Sequence, residues 1–227
     1  MAKHKKRQFE EFSNFKNVFE VHFFELEKNG FPHKGNWNIN YFKNENPIIL
    51  ELGCGKGEYT VGLAEQFPNK NFIGIDIKGN RMWRGAKTAI EQGLNNVAFI
   101  RTHIGQINKY FAENEISEIW ITFPDPQPRE GHEKKRLTST RFLTYYKNIL
   151  KPDGIIHLKT DSRELFDYTL GLIEEQKHNL LYKTFDVYKT DVNDSVLSIK
   201  TYYEKLFGSK GFDINYLKFT INNGGSV

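Results

Sequence analysis

The chain has 227 residues, enough for one sizeable domain, and it carries a net charge of +4 with a sequence-derived pI of about 8.9. Its single cysteine excludes an internal disulfide and a cysteine metal cluster, and no apolar run is as long as a membrane span or a signal peptide. We therefore expect a soluble, cytoplasmic protein, either a monomer or a homodimer, whose mild basic charge permits an anionic partner.

The first 46 residues are predicted to form a basic arm, an aromatic helix and a connector. Residues 1 to 8 hold five basic side chains and no apolar periodicity, so we expect a mobile arm that is either solvated or follows a phosphate backbone. Five phenylalanines follow at steps of three and four, which predicts one helix whose aromatic side caps the core or stacks on bases. These are Phe9, Phe12, Phe15, Phe19 and Phe23. Residues 29 to 46 are rich in Gly, Pro and Asn, which is typical of a connector.

Strands and helices alternate through residues 47–227, which predicts one α/β domain. We expect a Rossmann-like, doubly wound and mostly parallel sheet of about seven strands with helices on both faces. Predicted strands cover residues 47–52, 71–77, 97–101, 118–123 and 155–159, with two later extended runs at 180–189 and 213–221. Predicted helices cover residues 58–67, 80–92, 138–150 and 163–176, and residues 151–154 are predicted to form a turn.

A loop with glycine at alternate positions, Gly53, Gly55 and Gly57, follows the first predicted strand. The spacing G-x-G-x-G differs from the G-x-G-x-x-G of dinucleotide sites, and Glu51 just before it would repel a pyrophosphate. A carboxylate there suits a cationic ligand with an amino group and a sulfonium. Asp76 ends the next strand 19 residues after Gly57, where ribose hydroxyls are usually held. Together these residues favour a site for S-adenosylmethionine (SAM), with an ordinary tight turn as the alternative.

Two more acids end predicted strands: Asp125 follows the fourth and Asp161 the fifth. The carboxyl ends of parallel strands meet at one edge of a sheet, so we expect these acids to converge with the two described above. Prolines on both sides of Asp125 fix the backbone, which would hold its carboxylate beside a cofactor. Asp161 precedes Ser162 at a predicted helix start, so it is either a helix cap or a site residue.

A basic stretch follows Asp125, with five cations and His132 within thirteen residues. The cations are Arg129, Lys134, Lys135, Arg136 and Arg141. Their position favours an anionic macromolecule over a small neutral metabolite as the substrate. A solvated charged loop is the alternative, since Glu130 and Glu133 lie in the same stretch.

Six ordered motifs between residues 47 and 207 resemble the bacterial tRNA (guanine-N7-)-methyltransferase family. They are Glu51-x-Gly53-x-Gly55-x-Gly57, Gly74-Ile75-Asp76-Ile77, Phe123-Pro124-Asp125-Pro126, His132-Glu133-Lys134-Lys135-Arg136-Leu137, Lys159-Thr160-Asp161 and Thr201-Tyr202-Tyr203-Glu204. The resemblance implies SAM as methyl donor and the variable-loop guanine (position 46) of tRNA as acceptor, without a metal. It implies SAM contacts for Glu51, Asp76 and Asp125, with Asp125 also catalytic. It assigns tRNA contacts to Arg129, Asp161, Thr201, Tyr202, Tyr203 and Glu204.

The chain departs from the family pattern at three positions. Gln127 stands where a Trp is usual, which removes an aromatic side chain that could support the bound base. Arg129 replaces a usual Lys and keeps the charge but not the geometry. His103 stands where an acid near the adenosine is common, and no role is carried over to it.

Three other functions are weighed against tRNA methylation. The first two are a SAM-dependent methyltransferase acting on another RNA base and a non-catalytic RNA-binding module that keeps SAM as a ligand. The third, a dehydrogenase, is disfavoured by the glycine spacing and Glu51.

Overall fold

One mixed sheet organises the chain in the computed structural model, which describes residues 2–189, 199, 204 and 213–222, with side chains from residue 7 onward. Within these residues the strands are β1 (Val18–Phe19), β2 (Ile48–Leu52), β3 (Asn71–Asp76), β4 (Val97–Arg101), β5 (Ile116–Thr122), β6 (Leu150–Thr160), β7 (Asn179–Thr184) and β8 (Asn215–Thr220). Their order across the sheet is β1-β4-β3-β2-β5-β6-β8-β7. The strands from β1 to β6 pair in parallel, and β8 is antiparallel to both β6 and β7.

Helices cover both faces of the sheet. They are α1 (Ala2–Phe12), α2 (Phe23–Asn29), α3 (Glu58–Gln66), α4 (Gly79–Glu91), α5 (Ile107–Tyr110), α6 (Thr140–Ile149) and α7 (Arg163–Glu175). Alternate strand residues point to opposite faces, so two hydrophobic cores form. One core joins the sheet to α1, α3 and α4, and the other joins it to α2, α5, α6 and α7. No described helix is long and apolar enough to cross a membrane.

The predicted doubly wound sheet is confirmed, including the seven strands from residue 47 onward. The main difference lies at β6, which begins at Leu150 rather than at Ile155. Ile116 of β5 pairs with Leu150, and Glu118 pairs with Ile155, so the register shifts and β6 accommodates three additional residues. Residues 151–154, predicted as a separate turn, are therefore an irregular part of the strand, because the preceding residue already pairs with β5.

The N-terminal prediction of one aromatic helix is wrong. Residues 2–8 belong to α1, and the chain then forms β1 and α2 instead of continuing as one helix. Phe12 anchors α1 because it is buried beside α4, and Glu11 accepts hydrogen bonds from Trp83 and Lys87. Phe19 lies in β1, where pairing with β4 overrides its helical spacing. The phenylalanines consequently do not share one face: Phe12 is fully buried, whereas Phe23 is 46% exposed.

The sheet topology creates a natural binding place at its carboxyl edge. The chain runs outward from β2 through β3 to β4, and then crosses back to add β5 and β6 on the other side of β2. Ligands of open α/β sheets bind at such a reversal point, outside the carboxyl ends of the strands. The glycine loop follows β2 directly, so it lies at this point.

Candidate active site

A cleft of about 590 Å³ opens at the carboxyl edge, and the four acids predicted from strand ends all line it. They are Glu51 near the end of β2, Asp76 at the end of β3, Asp125 after β5 and Asp161 after β6. A second cleft of about 540 Å³ shares Gly53, Asp76, Asp125 and Leu137 with the first. Asp125 therefore borders both spaces. The convergence expected from parallel strand ends is present in the structure.

The three glycines of the loop have two different functions. Gly53 and Gly55 line the cleft, and a Cβ at either position would come no closer than 3.9 Å to its nearest neighbour. Gly57 has φ +71°, and a Cβ there would lie 2.6 Å from the Phe99 ring and 3.2 Å from the Gly85 Cα. Gly57 therefore permits close packing of the loop on α4. The open space that a ligand could occupy lies over Gly53 and Gly55.

Glu51 is a buried carboxylate at the base of the cleft, with an exposed fraction of 3%. It accepts hydrogen bonds from the Thr60 N–H at 2.8 Å, from the Thr60 hydroxyl, and from the Thr122 hydroxyl at 2.7 Å. Burial raises the pKa of Glu51 to about 7, although the hydrogen bonds from Thr60 and Thr122 oppose this rise. Glu51 thus ties β2 to α3 and β5, and it presents an ionisable carboxyl group to the cleft.

Asp76 connects the end of β3 to the glycine loop. Its Oδ2 accepts the Gly55 N–H at 3.0 Å, and its Oδ1 accepts the Lys78 N–H at 2.9 Å. Each carboxylate oxygen has further lone pairs, so Asp76 can also accept hydrogen bonds from ligand hydroxyls. His103, after β4, lines the second cleft together with Asp76.

Asp125 lies on an exposed loop whose backbone is constrained on both sides. Phe123 has φ +46° and Gln127 has φ +48°, the left-handed region that non-glycine residues rarely adopt. The Phe123 N–H donates to the Lys159 carbonyl at 2.8 Å. The Gln127 N–H donates to Asp125 Oδ1 at 3.1 Å. The flanking prolines were visible in the sequence, whereas the two left-handed residues were not. Strained backbone of this kind is typical of functional loops.

Asp161 was expected to be either a helix cap or a site residue, and the hydrogen bond of Ser162 bears on this choice. The Ser162 hydroxyl accepts the Leu165 N–H at 3.2 Å, so Ser162 is the cap of α7. Asp161 is half-buried and lines the cleft beside Ser162. Asp161 therefore borders the cleft, and Ser162 rather than Asp161 caps the helix.

The cations of the basic stretch separate into exposed and buried residues. Arg129, Lys134, Lys135 and Arg141 are exposed, and the last two line the second cleft. Arg129 precedes the 3-10 turn Glu130–Lys135 and is not among the described residues that line either cleft. The prediction that Arg136 is another cation open to an anionic partner is wrong, because it is buried and forms an ion pair with Glu164 at 2.6 Å.

The C-terminal motif is only partly visible. Thr201, Tyr202 and Tyr203 lie outside the described residues. Glu204 is buried, and its carboxylate contacts Lys159 and the Tyr188 hydroxyl.

Sequence reasoning assigned no role to three residues that organise the site: Thr60, Thr122 and Lys159. Two of them lie at the carboxyl end of a strand, and Thr60 lies in the first turn of α3. Their polar side chains at strand ends and in the first turn of a helix were the signal from which a role in the site could have been predicted. Among the described residues, no group of three or more His, Cys, Asp or Glu side chains is placed to hold a metal ion.

Comparison with known proteins gives matches over nearly the whole chain. A family model described as "Putative methyltransferase" matches residues 45–217. A tRNA (guanine-N(7)-)-methyltransferase of Christiangramia forsetii is 56% identical over 221 residues, which cover 97% of this chain and 99% of the relative. A protein of the same name from Bacteroides thetaiotaomicron is 48% identical, with 99% of this chain and 88% of the relative covered.

Solved structures share the fold. The 16S rRNA methyltransferase KamB superposes with a TM-score of 0.62 at 15% identity, covering 80% of this chain and 91% of that chain. A 30S ribosomal A1408 methyltransferase from an uncultured bacterium gives a TM-score of 0.59 at 18% identity, with 82% and 93% covered. At these identities the likeness concerns the fold alone.

Proposed function

Because the chain belongs to the tRNA (guanine-N(7)-)-methyltransferase family, we propose that it transfers a methyl group from SAM to N7 of a guanine in tRNA. The observation that carries this proposal is the place of Asp125. It borders both the cleft formed by the glycine loop and the cleft that Lys135 and Arg141 line. One carboxylate thus lies where a cofactor and a polyanionic substrate would meet.

The residues of the first cleft fit SAM. Gly53 and Gly55 leave open space beside the loop, and the carboxyl groups of Glu51, Asp76 and Asp125 complement the amino group and the sulfonium of this ligand. We assign Glu51, Gly53, Gly55, Asp76 and Asp125 to holding it, with Asp76 accepting hydrogen bonds from the ribose hydroxyls. Gly57 supports them by packing the loop on α4. When bound, SAM supplies an electrophilic methyl group on sulfur.

The chemistry at guanine N7 requires positioning more than proton transfer. N7 has an in-plane lone pair and no proton, so no general base is needed to expose the nucleophile. Aligning the reacting atoms in line can contribute ~7 to 11 kcal/mol. In this proposal Asp125 orients the guanine and offsets the positive charge that develops on the purine ring. Phe123 and Gln127, with their left-handed backbone conformations, would hold the carboxylate in place for this task.

The substrate surface extends outward from Asp125. The exposed cations Arg129, Lys134, Lys135 and Arg141 would contact phosphates of the folded tRNA, and Asp161 would contact the tRNA from the cleft wall. We place the variable-loop guanine at Asp125, and we assign Thr201, Tyr202, Tyr203 and Glu204 to the same substrate side. Glu204 is buried against Lys159, so its part in tRNA binding would be indirect.

The test is a methyl-transfer assay with purified protein, labelled SAM and bulk tRNA. We expect label in the tRNA, and Asp125→Ala should lower turnover far more than it lowers SAM affinity. The matched control is Asp153→Ala, an exposed acid in the irregular part of β6 outside both clefts, which should leave both quantities unchanged. SAM binding without transfer to tRNA would instead support a non-catalytic SAM-binding module.

A further inference from the structure

Arg136 is a buried guanidinium that touches three groups around the loop carrying Asp125. Its exposed fraction is 7%. One Nη donates to Glu164 Oε1 of α7 at 2.6 Å, and the guanidinium lies 4.4 Å from the centre of the Tyr168 ring. Its Nε donates to the Gln127 carbonyl at 3.3 Å. The planar donor fork of Arg thus reaches α7 and the loop together, which a Lys ammonium could not reproduce.

Gln127 connects this guanidinium to Asp125 through its own backbone. Its carbonyl accepts from Arg136, while its N–H donates to Asp125 Oδ1 at 3.1 Å. A continuous series of hydrogen bonds therefore runs from Glu164 through Arg136 and Gln127 to the Asp125 carboxylate. Gln127 has φ +48°, a conformation that persists only when the surroundings hold it.

We propose that Arg136 is a positioning residue, which fixes the Asp125 carboxylate through the Gln127 backbone and does not contact the tRNA. The inference rests on the proposed function, because it needs Asp125 to act on the bound substrate. Arg136 lies in the same basic stretch as Lys134 and Lys135, but its charge is already paired with Glu164 and its side chain is covered. The adjacent Lys135 is exposed and lines the second cleft.

Loss of the hydrogen bond from Arg136 to the Gln127 carbonyl should lower turnover. Without the Arg136 donor, Gln127 can relax from its left-handed conformation, and its N–H then moves away from Asp125. A displacement of about 1 Å in a catalytic group can cost about 100-fold in rate. A residue that only binds phosphate would instead change tRNA affinity and its dependence on salt.

The experiment compares Arg136→Gln with Lys135→Gln in the full chain, because each removes one neighbouring positive charge. For Arg136→Gln we expect kcat to fall about 10- to 100-fold with KM for tRNA within about twofold. The slope of log affinity against log salt should stay at the wild-type value. For Lys135→Gln we expect weaker tRNA binding and a slope that falls by roughly 0.7 to 0.9. A reduced slope with unchanged kcat in Arg136→Gln would overturn the inference.

A second variant, Glu164→Gln, covers the case in which Arg136→Gln does not fold. Glu164 is 56% exposed, so the substitution leaves the core intact and only weakens the hold on Arg136. We expect kcat to fall about threefold to tenfold with tRNA affinity unchanged. If Arg136 served phosphates, releasing it from Glu164 would instead tighten tRNA binding at low salt with kcat unchanged, and that result would overturn the inference.

The wild-type protein and Asp125→Asn separate failure of this inference from failure of the proposed function. No methyl transfer to tRNA by the wild-type protein would remove the proposed function itself. If Asp125→Asn is inactive but Arg136→Gln keeps the wild-type kcat, only the positioning role of Arg136 is removed.

Discussion

Lys159 and Glu204 form a buried ion pair, with Lys159 Nζ 2.8 Å from Glu204 Oε1 and neither side chain more than 1% exposed. Lys159 lies in β6 directly before Thr160 and Asp161, and its carbonyl accepts the N–H of Phe123. The pair therefore joins Glu204 to the strand that supports two of the acids in the cleft. Its partners are 45 residues apart in the sequence.

Glu204→Leu should destabilise the protein strongly. It removes the carboxylate beside a buried ammonium, and loss of one partner from a buried pair typically costs about 3–5 kcal/mol. The free energy of unfolding in urea measures this. The double variant Lys159→Met with Glu204→Leu should recover part of the loss. A loss of less than about 1 kcal/mol for the single variant would contradict the buried pairing.

Stability should depend on pH through Glu51. Its pKa rises from an ordinary value of 4.5 to about 7 in the folded protein, mainly because of burial. The folded protein therefore holds this proton more tightly, so the contribution to stability is full below pH 4.5 and is lost as the pH rises through 7. Between these limits the wild type should lose about 3 kcal/mol relative to Glu51→Gln. Parallel stability curves for the two proteins from pH 4 to 8.5 would contradict this.

Exposed lysines beside the second cleft should control the salt dependence of tRNA binding. Replacing both Lys134 and Lys135 by Gln should lower the slope of log affinity against log salt by roughly 1.4 to 1.8. The control replaces Lys151 and Lys177, which are also exposed but lie at the amino edge of the sheet. Binding titrations at several salt concentrations measure both slopes. Equal slopes for the two double variants would rule out phosphate contacts by Lys134 and Lys135.

Gly57→Ala should be more destabilising than Gly93→Ala, although both glycines have nearly the same φ angle. Their φ angles are +71° and +69°, so a left-handed alanine should lower the free energy of unfolding by about 1–2 kcal/mol in each variant. Only Gly57 lies against Phe99, whereas a Cβ at Gly93 would meet nothing within 4 Å. Overpacking should add about 1–3 kcal/mol at Gly57. Urea unfolding of the two variants measures the difference, and equal losses would argue against close packing of the loop on α4.

The sheet and the four cleft acids could be predicted because their signals are local. Apolar runs of strand length end at or near Glu51, Asp76, Asp125 and Asp161, and parallel strands place their carboxyl ends at one edge. The same reasoning could not find the function of Gly57, since a glycine spacing does not distinguish open space for a ligand from contact with a neighbouring helix.

The errors arose where distant partners decide the structure. Phe19 has helical spacing from Phe15 and Phe23, but its strand pairs with β4, about 80 residues later. In the sequence nothing distinguishes Arg136 from the neighbouring lysines. In the structure it pairs with Glu164, 28 residues later, and is buried. A single sequence contains no local signal for such pairings, because tertiary contacts override intrinsic preferences.

The most direct test of the central claim is to locate the methyl group in tRNA after incubation with the protein and SAM. N7-methylguanine renders the chain cleavable after reduction and mild base treatment, so cleavage products mark the modified nucleotide. We predict cleavage at the variable-loop guanine with the wild-type protein and its loss with Asp125→Ala. Methyl label in tRNA without cleavage at any guanine would contradict the claim, because the acceptor would then be a different atom or base.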